Sequence, residues 1–546
     1  MHPTPDLSDL TPEQLRTLAA DLLLQVHMRD ETIASQGGQI EQRDQLIHQR
    51  DVAIAQKDQI IEERNQAIQR YKIREEQISH EMALLRRYQF GKRSEGIDSP
   101  QRDMLEDLVD EDIGAIEAEL EKIAVRPKLE PARQQPKRQA LPKELPRTTI
   151  RHEPDNTLCQ CGCQLERIGE DISEKLDYQP GVFTVEQHIR GKWTCRQCET
   201  LVQAPVPAHV IDKGIPTTGL LAHVLVAKYA DHLPLYRQEQ IFARTRLHLP
   251  RSTLGDWVGR CGVELRPLID TLRDELLTHT VLHADETPVA MLAPGKKQTQ
   301  RAYVWAYAAT RFAPVQGVVY DFRPTRSGKE VRDFLADWKG KLVCDDFSGY
   351  KASFALGITE IGCMAHARRK FHELHVANQS QIAQQALEYI GQLYAIERSA
   401  AELDANERRM QRQTHAKPIL DQLHQWLIAQ RQRVTSGTAT AKAIDYSLKR
   451  WAALTRYLDD GTVPIDNNWI ENQIRPWALG RSNWLFAGSL RSGQRAAAIM
   501  SLIQSAKING HDPYAYLKDV LERLPTQRVS MIGELLPHHW KPADKV

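Results

Sequence analysis

The sequence predicts a multidomain α+β protein, and three observations carry that prediction. Apolar residues recur every seven positions near the N-terminus, five of the eight cysteines fall within 159–198, and residues 279–376 run from three β-like segments into alternating helix and strand. A length of 546 residues accommodates three or four domains with sizeable cores. With 72 Lys and Arg against 71 Asp and Glu, the net charge of +1 announces no polyanionic partner. The charge is uneven, however: 103–121 holds nine acidic and no basic residues, and 126–151 holds eight basic residues against two Glu. Opposite blocks side by side predict a mobile arm, so 96–150 reads as an acidic, then basic, Pro-rich linker.

Ahead of that linker, 1–95 reads as a helical oligomerisation region. Val26, Ile33, Ile40, Ile47, Ile54, Ile61 and Ile68 repeat at an interval of seven, the mark of a coiled-coil seam. The second seam position is polar (Arg43, Arg50, Lys57, Arg64), which predicts a weak or polar-registered homo-oligomer. A basic cluster, RRYQFGKRSE, closes the region. No run of 18 apolar residues offers a membrane span, and MHPTPDLSDLTPEQL lacks the layout of a secretory leader. The expected compartment is the cytoplasm, where clustered cysteines hold metal rather than form disulfides.

Residues 151–210 predict a zinc-ribbon-like module. Cys195 and Cys198 form a Cys-x-x-Cys half-site, and Cys159, Cys161 and Cys163 offer three thiols for the two remaining places on a tetrahedral ion. Cys159 and Cys161 are the expected pair, with Cys163 as the alternate. From 211 to 275, three helices with a break at Leu249-Pro250 predict a helix-turn-helix whose last member opens on Arg251, Ser252 and Thr253.

Within 276–378, TVLHADETPVAML, QRAYVWAYAAT and PVQGVVYDF read as strands. A helix, the strand KLVCDD, a short helix, the strand TEIGCM and the helix AHARRKFHEL follow. Three strands and then such alternation is the order of a ribonuclease-H-like α/β domain. An all-helical insertion occupies 379–462, a closing helix region 463–510 and a helical tail 511–546.

The most informative stretch is 466–489, DNNWIENQIRPWALGRSNWLFAGS. Asp466, Asn467 and Asn468 signal a helix start, Glu471 falls in the first turn, and Arg475 lies four residues on, placed to hold that carboxylate. Asp285 on the first strand and Asp345 at the end of the fourth become neighbours in such a sheet. With Glu471 they make a set of hard oxygen ligands suited to two Mg²⁺ (or Mn²⁺) ions, the arrangement that phosphodiester cleavage requires. Alternation turns one of each pair, Asp285/Glu286 and Asp345/Asp346, away from the site. The choice between Asp345 and Asp346 stays open, and Asp466 is a second acidic candidate. Arg251, Ser252, Thr253, Arg368, Arg369, Lys370, Arg475 and Arg481 are the candidate DNA contacts, with Trp477 or Trp484 placed to stack on a splayed base.

FGKRSE, CGCQLERIGEDISEKLDY, KYADHLPLYRQEQI, RSTLGDWV, LHADETPV, CDDFSGY, GCMAHARRKF and the 466–489 stretch resemble, in the same order, the large transposase of the bacterial insertion-sequence-66 family. The resemblance covers about 86–520 and implies a DDE active site of Asp285, Asp345 and Glu471 in a ribonuclease-H-like domain interrupted by a helical insertion. It also implies a zinc-finger-like segment at 159–198 and a helix-turn-helix that recognises terminal inverted repeats. The partners it implies are double-stranded DNA (element ends and target), further copies of the chain, and small accessory proteins encoded by the same element, all at the nucleoid. Two departures stand out: the first cysteine half-site is irregular, and Asp346 replaces the small residue expected after the second aspartate. The alternative reading is a catalytically inactive, domesticated or decayed copy that keeps sequence-specific DNA binding.

Overall fold

The computed structural model describes residues 11–90, 99–123, 141–179, 181–211, 214–245, 247–292, 299–484 and 486–542. Most of the basic cluster FGKRSE and much of the Pro-rich basic segment lie outside the described residues. The chain divides into two compact units at residue 81. The first unit is a single rod, part of helix α1 (Pro12–Phe90). Val26, Ile54, Ile61 and Ile68 on that rod are each about half exposed. No helix among the described residues is long and apolar enough to cross a membrane.

In the second unit, helix α2 (Ser99–Ile123) overturns the expectation of a mobile acidic arm. Its Ala115, Ile116 and Ala118 are buried, and so are Asp107, Glu111 and Asp112. Charge matching explains it. Glu111 accepts from Arg495 at 2.9 Å and lies 2.7 Å from Lys228, Asp112 lies 3.0 Å from Arg495, and Glu121 accepts from Arg260 at 2.9 Å. The acidic run is one half of a buried ion network, and the other half is remote in sequence.

A small sheet follows, with strands β1 (Arg147–His152), β2 (Glu166–Gln179), β3 (Val182–Thr194) and β4 (Leu201–Gln203). Strand β3 is central, parallel to β1 and antiparallel to β2 and β4. Next come helices α3 (Thr218–Tyr229), α4 (Leu235–Ala243), α5 (Arg251–Glu264) and α6 (Arg266–Leu276). Pro234 and Pro250 each precede a helix, where a missing backbone N–H costs nothing. Leu254, Trp257 and Val258 on α5 are buried, and α2 lies along the same helix at close range. A methyl at Gly259 would sit 2.2 Å from the carbonyl oxygen of Glu111 and 2.6 Å from the amide nitrogen of Ala115. Gly259→Ala is therefore expected to cost about 1–3 kcal/mol by overpacking. It should also open the α2 segment to protease. Urea melts and limited proteolysis check this, and an unchanged midpoint would contradict the close approach.

The large sheet holds β5 (Val281–Leu292), β6 (Thr299–Ala309), β7 (Val318–Arg323), β8 (Lys341–Cys344) and β9 (Thr359–Gly362) in the order β7-β6-β5-β8-β9. The first three pair antiparallel, and β8 and β9 run parallel to β5. Helices α7 (Gly328–Leu335) and α8 (Lys351–Ala355) make the crossovers, and α9 (Met364–Asn378) leaves β9. Helices α10 (Gln381–Ser399), α11 (Ala405–Gln411), α12 (Lys417–Arg433), α13 (Ala439–Lys449) and α14 (Trp451–Thr455) follow. Their Leu393, Leu420 and Ile444 share a core with Val281, Val343 and Ile361 of the sheet.

A second core takes Leu282, Ala284 and Val304 together with α15 (Asn468–Trp484), α16 (Leu490–Ile508) and α17 (Pro513–Arg523). Strand β7 is a sheet edge, and its free N–H groups are satisfied by α16: Val318 donates to Ser505 at 3.0 Å and Tyr320 to Ser501 at 2.8 Å. Serines four apart on a helix face thus match strand amides two apart, which blunts the edge.

Candidate active site

The register of the parallel strands sets the first two carboxylates side by side. His283 pairs with Val343, so Asp285 and Asp345 each lie two residues beyond that pair. Asp345 accepts from the Phe347 amide at 2.8 Å, a turn that holds the carboxylate at the strand end. Its neighbour Asp346 lies 2.8 Å from Arg450, which also holds Glu360 at 2.6 Å. On the other strand, Glu286 accepts from Tyr350 at 2.8 Å and from Arg326 Nε at 2.7 Å. Glu286 and Asp346 are thus engaged by basic or hydroxyl side chains, whereas Asp285 and Asp345 take backbone amides, those of Glu286 and Phe347.

The helix that carries Glu471 is fastened by a buried amide. Asn467 donates from Nδ2 to the Ala284 carbonyl at 2.9 Å, and its Oδ1 lies 2.7 Å from His283 Nδ1. Since that oxygen can only accept, His283 donates from Nδ1. Burial lowers the His283 pKa to about 4, which keeps the ring neutral. The Asn467 amide N–H reaches Cys363 Sγ at 3.1 Å, so the start of α15 is fastened to β5 and to the end of β9. Glu471 follows one turn later, its N–H on the Asn467 carbonyl at 3.3 Å.

By its position in the sequence Asn467 reads as an ordinary helix cap. Its full burial was the missed feature, and a polar residue beside two helix-start residues gave no signal of it. Asn467→Ala should leave the Ala284 carbonyl and His283 Nδ1 without partners, at about 1–3 kcal/mol each. Thermal melts check this against Asn468→Ala, which removes an exposed side chain and should change little.

Asp285 lies within electrostatic reach of Glu286, Glu471 and Asp345. Burial raises its pKa to about 8, with further upward pushes from the charges of Glu286, Glu471 and Asp345. Glu471 is approached by His366 Nδ1 at 3.9 Å and Arg369 at 3.8 Å, both from α9. The expected ion pair with Arg475 does not form: Arg475 is exposed, and the partners come from another helix. Arg369, Lys370 and Arg326 line an open cleft with Asp345, and Arg368 is exposed beside them.

Other candidates fall elsewhere. Arg481 donates to Thr287 Oγ1 at 3.2 Å and to the Pro288 carbonyl at 2.8 Å, fastening α15 to β5. Trp477 is a core residue, fully buried against Tyr320 and Phe322, rather than a stacking platform. Asp466 accepts from Tyr394 at 2.8 Å and from the Asn468 amide at 3.1 Å, a capping role. On α5, Ser252 is exposed and Thr253 partly so, while the Arg251 amide donates to Glu239 at 3.2 Å.

The cysteine module resolves its own ambiguity. The thiols of Cys159, Cys161, Cys195 and Cys198 all lie within 4.8 Å of one another. Cys159 is 3.1 Å from Cys198, and Cys161 is 3.6 Å from Cys195. Bonds of about 2.3 Å to a tetrahedral zinc set sulfurs about 3.8 Å apart, so the four fit the ion. Cys163 instead donates to Gln197 at 2.8 Å. The turn that brings Cys159 and Cys161 together has Gly162 at φ +85°, a conformation that suits glycine. Hydrogen bonding from Thr200 leads the effects that lower the Cys198 thiol to about 6, toward the thiolate a metal binds.

Comparison with known proteins supplies the class, which is that of the transposases. The model of the "Transposase IS66 family" matches residues 213–495, and the "IS66 C-terminal element" matches 501–538. The "zinc-finger binding domain of transposase IS66" matches 156–199, and "Transposase C of IS166 homeodomain" matches 77–150. This chain belongs to the IS66 family of transposases. Among its relatives is uncharacterized protein y4jD of Sinorhizobium fredii (strain NBRC 101917 / NGR234), 39% identical over 423 residues, or 74% of this chain and 82% of the relative. Another, y4qI of the same organism, is 36% identical over 480 residues, or 84% of this chain and 88% of the relative. The family domains imply an enzyme that binds and cleaves or transposes DNA, with a structural zinc site.

Proposed function

We propose that this chain is the DDE transposase of a bacterial insertion sequence, with a ribonuclease-H-like catalytic domain. The sheet order β7-β6-β5-β8-β9, three antiparallel strands and then two parallel ones, supports that fold. The observation that carries the catalytic reading is geometric: the register of β5 and β8 sets Asp285 beside Asp345, and the Asn467 amide ties the start of α15, one turn before Glu471, to the Ala284 carbonyl. Carboxylates from two strands and a helix repel one another unless cations sit among them. Asp285, Asp345 and Glu471 are the ligands for two Mg²⁺ (or Mn²⁺) ions, which when bound supply Lewis-acid stabilisation and a more acidic water.

The chain's own groups then have definite tasks. Asp285 gives up its proton when the site is loaded. Arg326, Arg369 and Lys370 hold the DNA backbone in the cleft, and Arg368 and Arg475 extend that basic surface. In cleavage a water oxygen attacks phosphorus at the element end, the bond to the 3′ oxygen breaks, and the leaving oxygen takes a proton. In transfer the freed 3′-hydroxyl attacks a target phosphodiester and a target 3′ oxygen leaves.

The N-terminal turn of α5, with Arg251, Ser252 and Thr253, is the segment assigned to the terminal inverted repeat, and Ser252 is exposed there. The seven-residue repeat on α1, whose Val26, Ile54, Ile61 and Ile68 are exposed, joins copies of the chain through a coiled coil. Footprinting and strand-transfer assays on DNA carrying paired inverted repeats test the reading. Protection of the ends with Mg²⁺-dependent nicking at their 3′ boundaries is expected. Footprints without cleavage at any divalent-ion concentration would instead favour a DNA-binding protein without catalysis.

A further inference from the structure

The closing turn of the chain carries a cluster that the transposition chemistry does not use. Glu275 near the end of α6, and His538 and His539 after a 3-10 turn at Val529–Leu535, bring one carboxylate oxygen and two ring nitrogens within 4.8 Å of one another. His539 Nδ1 lies 3.1 Å from the Gly533 carbonyl. That oxygen only accepts, so Nδ1 carries the proton and the Nε2 lone pair is left free, the tautomer a metal-binding histidine takes. His538 is the second signal: both its ring nitrogens are sealed from solvent, and neither has a hydrogen-bond partner. Buried polar atoms without partners are rare in native proteins, and a cation on one of these nitrogens gives its lone pair a partner. Glu275 makes no ion pair among the described residues, so its charge is available to a cation.

We propose that Glu275, His538 and His539 form a second zinc site, separate from the thiol cluster and from the carboxylate cleft, which clips the C-terminal turn onto α6. Two imidazoles and one carboxylate suit zinc, whose fourth position a water fills, whereas magnesium prefers an all-oxygen set. The site is a structural clip. Trp540, next in sequence, donates to Asp519 of α17 at 2.7 Å, so the turn is already held on its other side.

The test uses the full chain, stripped with chelator under reducing conditions and then dialysed against buffered Zn²⁺. Wild type is expected to hold one more zinc per chain than His539→Asn or Glu275→Gln. Hydrogen exchange across 529–542 should slow on zinc addition in wild type and stay unchanged in those variants. His539 is exposed and Glu275 only half-buried, so neither variant threatens folding, and far-ultraviolet circular dichroism checks that. Co²⁺ in place of Zn²⁺ should add visible bands lacking thiolate charge transfer, which His539→Asn removes. Equal zinc content in wild type and both variants overturns the proposal. So does an extra ion lost in Asp285→Asn but kept in His539→Asn, which assigns it to the carboxylate cleft.

Discussion

Asp285→Asn should abolish strand cleavage and transfer while leaving the footprint on element ends intact. The loss should reach about 10³-fold or more, since a metal Lewis acid contributes several kcal/mol of transition-state stabilisation and about 1.4 kcal/mol is a decade in rate. The variant should not be unstable. Asparagine keeps the shape and stays neutral at every pH, so without metal it should melt near the wild-type temperature at pH 7 and above it once pH passes about 8. The wild-type pH dependence follows from the same crowding. Asp285 titrates at about 8 instead of its ordinary 3.8, chiefly through burial. At pH 7 a divalent ion must displace its proton, so ion affinity should rise with pH up to about 8 and flatten above. Because the folded value is the raised one, the stability it lends metal-free protein is complete below the unfolded value. That stability is lost as pH rises through about 8. Calorimetric Mn²⁺ titrations at several pH values check the first trend and metal-free melts the second. A flat affinity profile would contradict the burial of Asp285.

Arg412→Met should produce the largest loss of stability. The guanidinium is fully buried, with Nε and Nη2 on Glu397 at 2.8 and 2.7 Å. Its Nη1 donates to the carbonyls of Tyr457, Asp460 and Val463 at 2.8, 2.9 and 2.9 Å. Removing the cation leaves Glu397 charged and unpaired in the core, which costs about 3–5 kcal/mol. The double variant Arg412→Met/Glu397→Leu should recover part of that, because the stranded charge goes too. The consequence reaches the active site, since the carbonyls belong to the chain segment that leads into α15 and Glu471. Urea unfolding measures it, and a loss below about 1 kcal/mol, the range of exposed pairs, would contradict this account.

What was legible in the sequence had local or periodic causes. The Val-, Tyr- and Trp-rich segments became β5, β6 and β7 because alternation and β-branching act within a few residues. Helix starts marked by Pro234, Pro250 and Asn467 were legible for the same reason. The failures had distant causes. The acidic run at 103–121 looked like an arm because its partners are remote, Arg495 lying 384 residues from Glu111 and Arg260 139 from Glu121. Helical spacing offered Arg475 to Glu471, but α9 supplied Arg369 and His366 from a different turn of the fold. Spacing left three cysteines for two places, and only the turn at Gly162 and the Gln197 contact separate Cys163 from the rest. Spacing likewise could not show that Asp346 pairs with Arg450, which lies far along the chain.

The most direct test is electron paramagnetic resonance of the full chain loaded with Mn²⁺ on a DNA element end. Two exchange-coupled ions per active site are predicted, with the coupled signal lost in Asp345→Asn and in Glu471→Gln alike. A single uncoupled ion that survives Glu471→Gln would show that the helix carboxylate takes no part, and the proposed catalytic centre would fall.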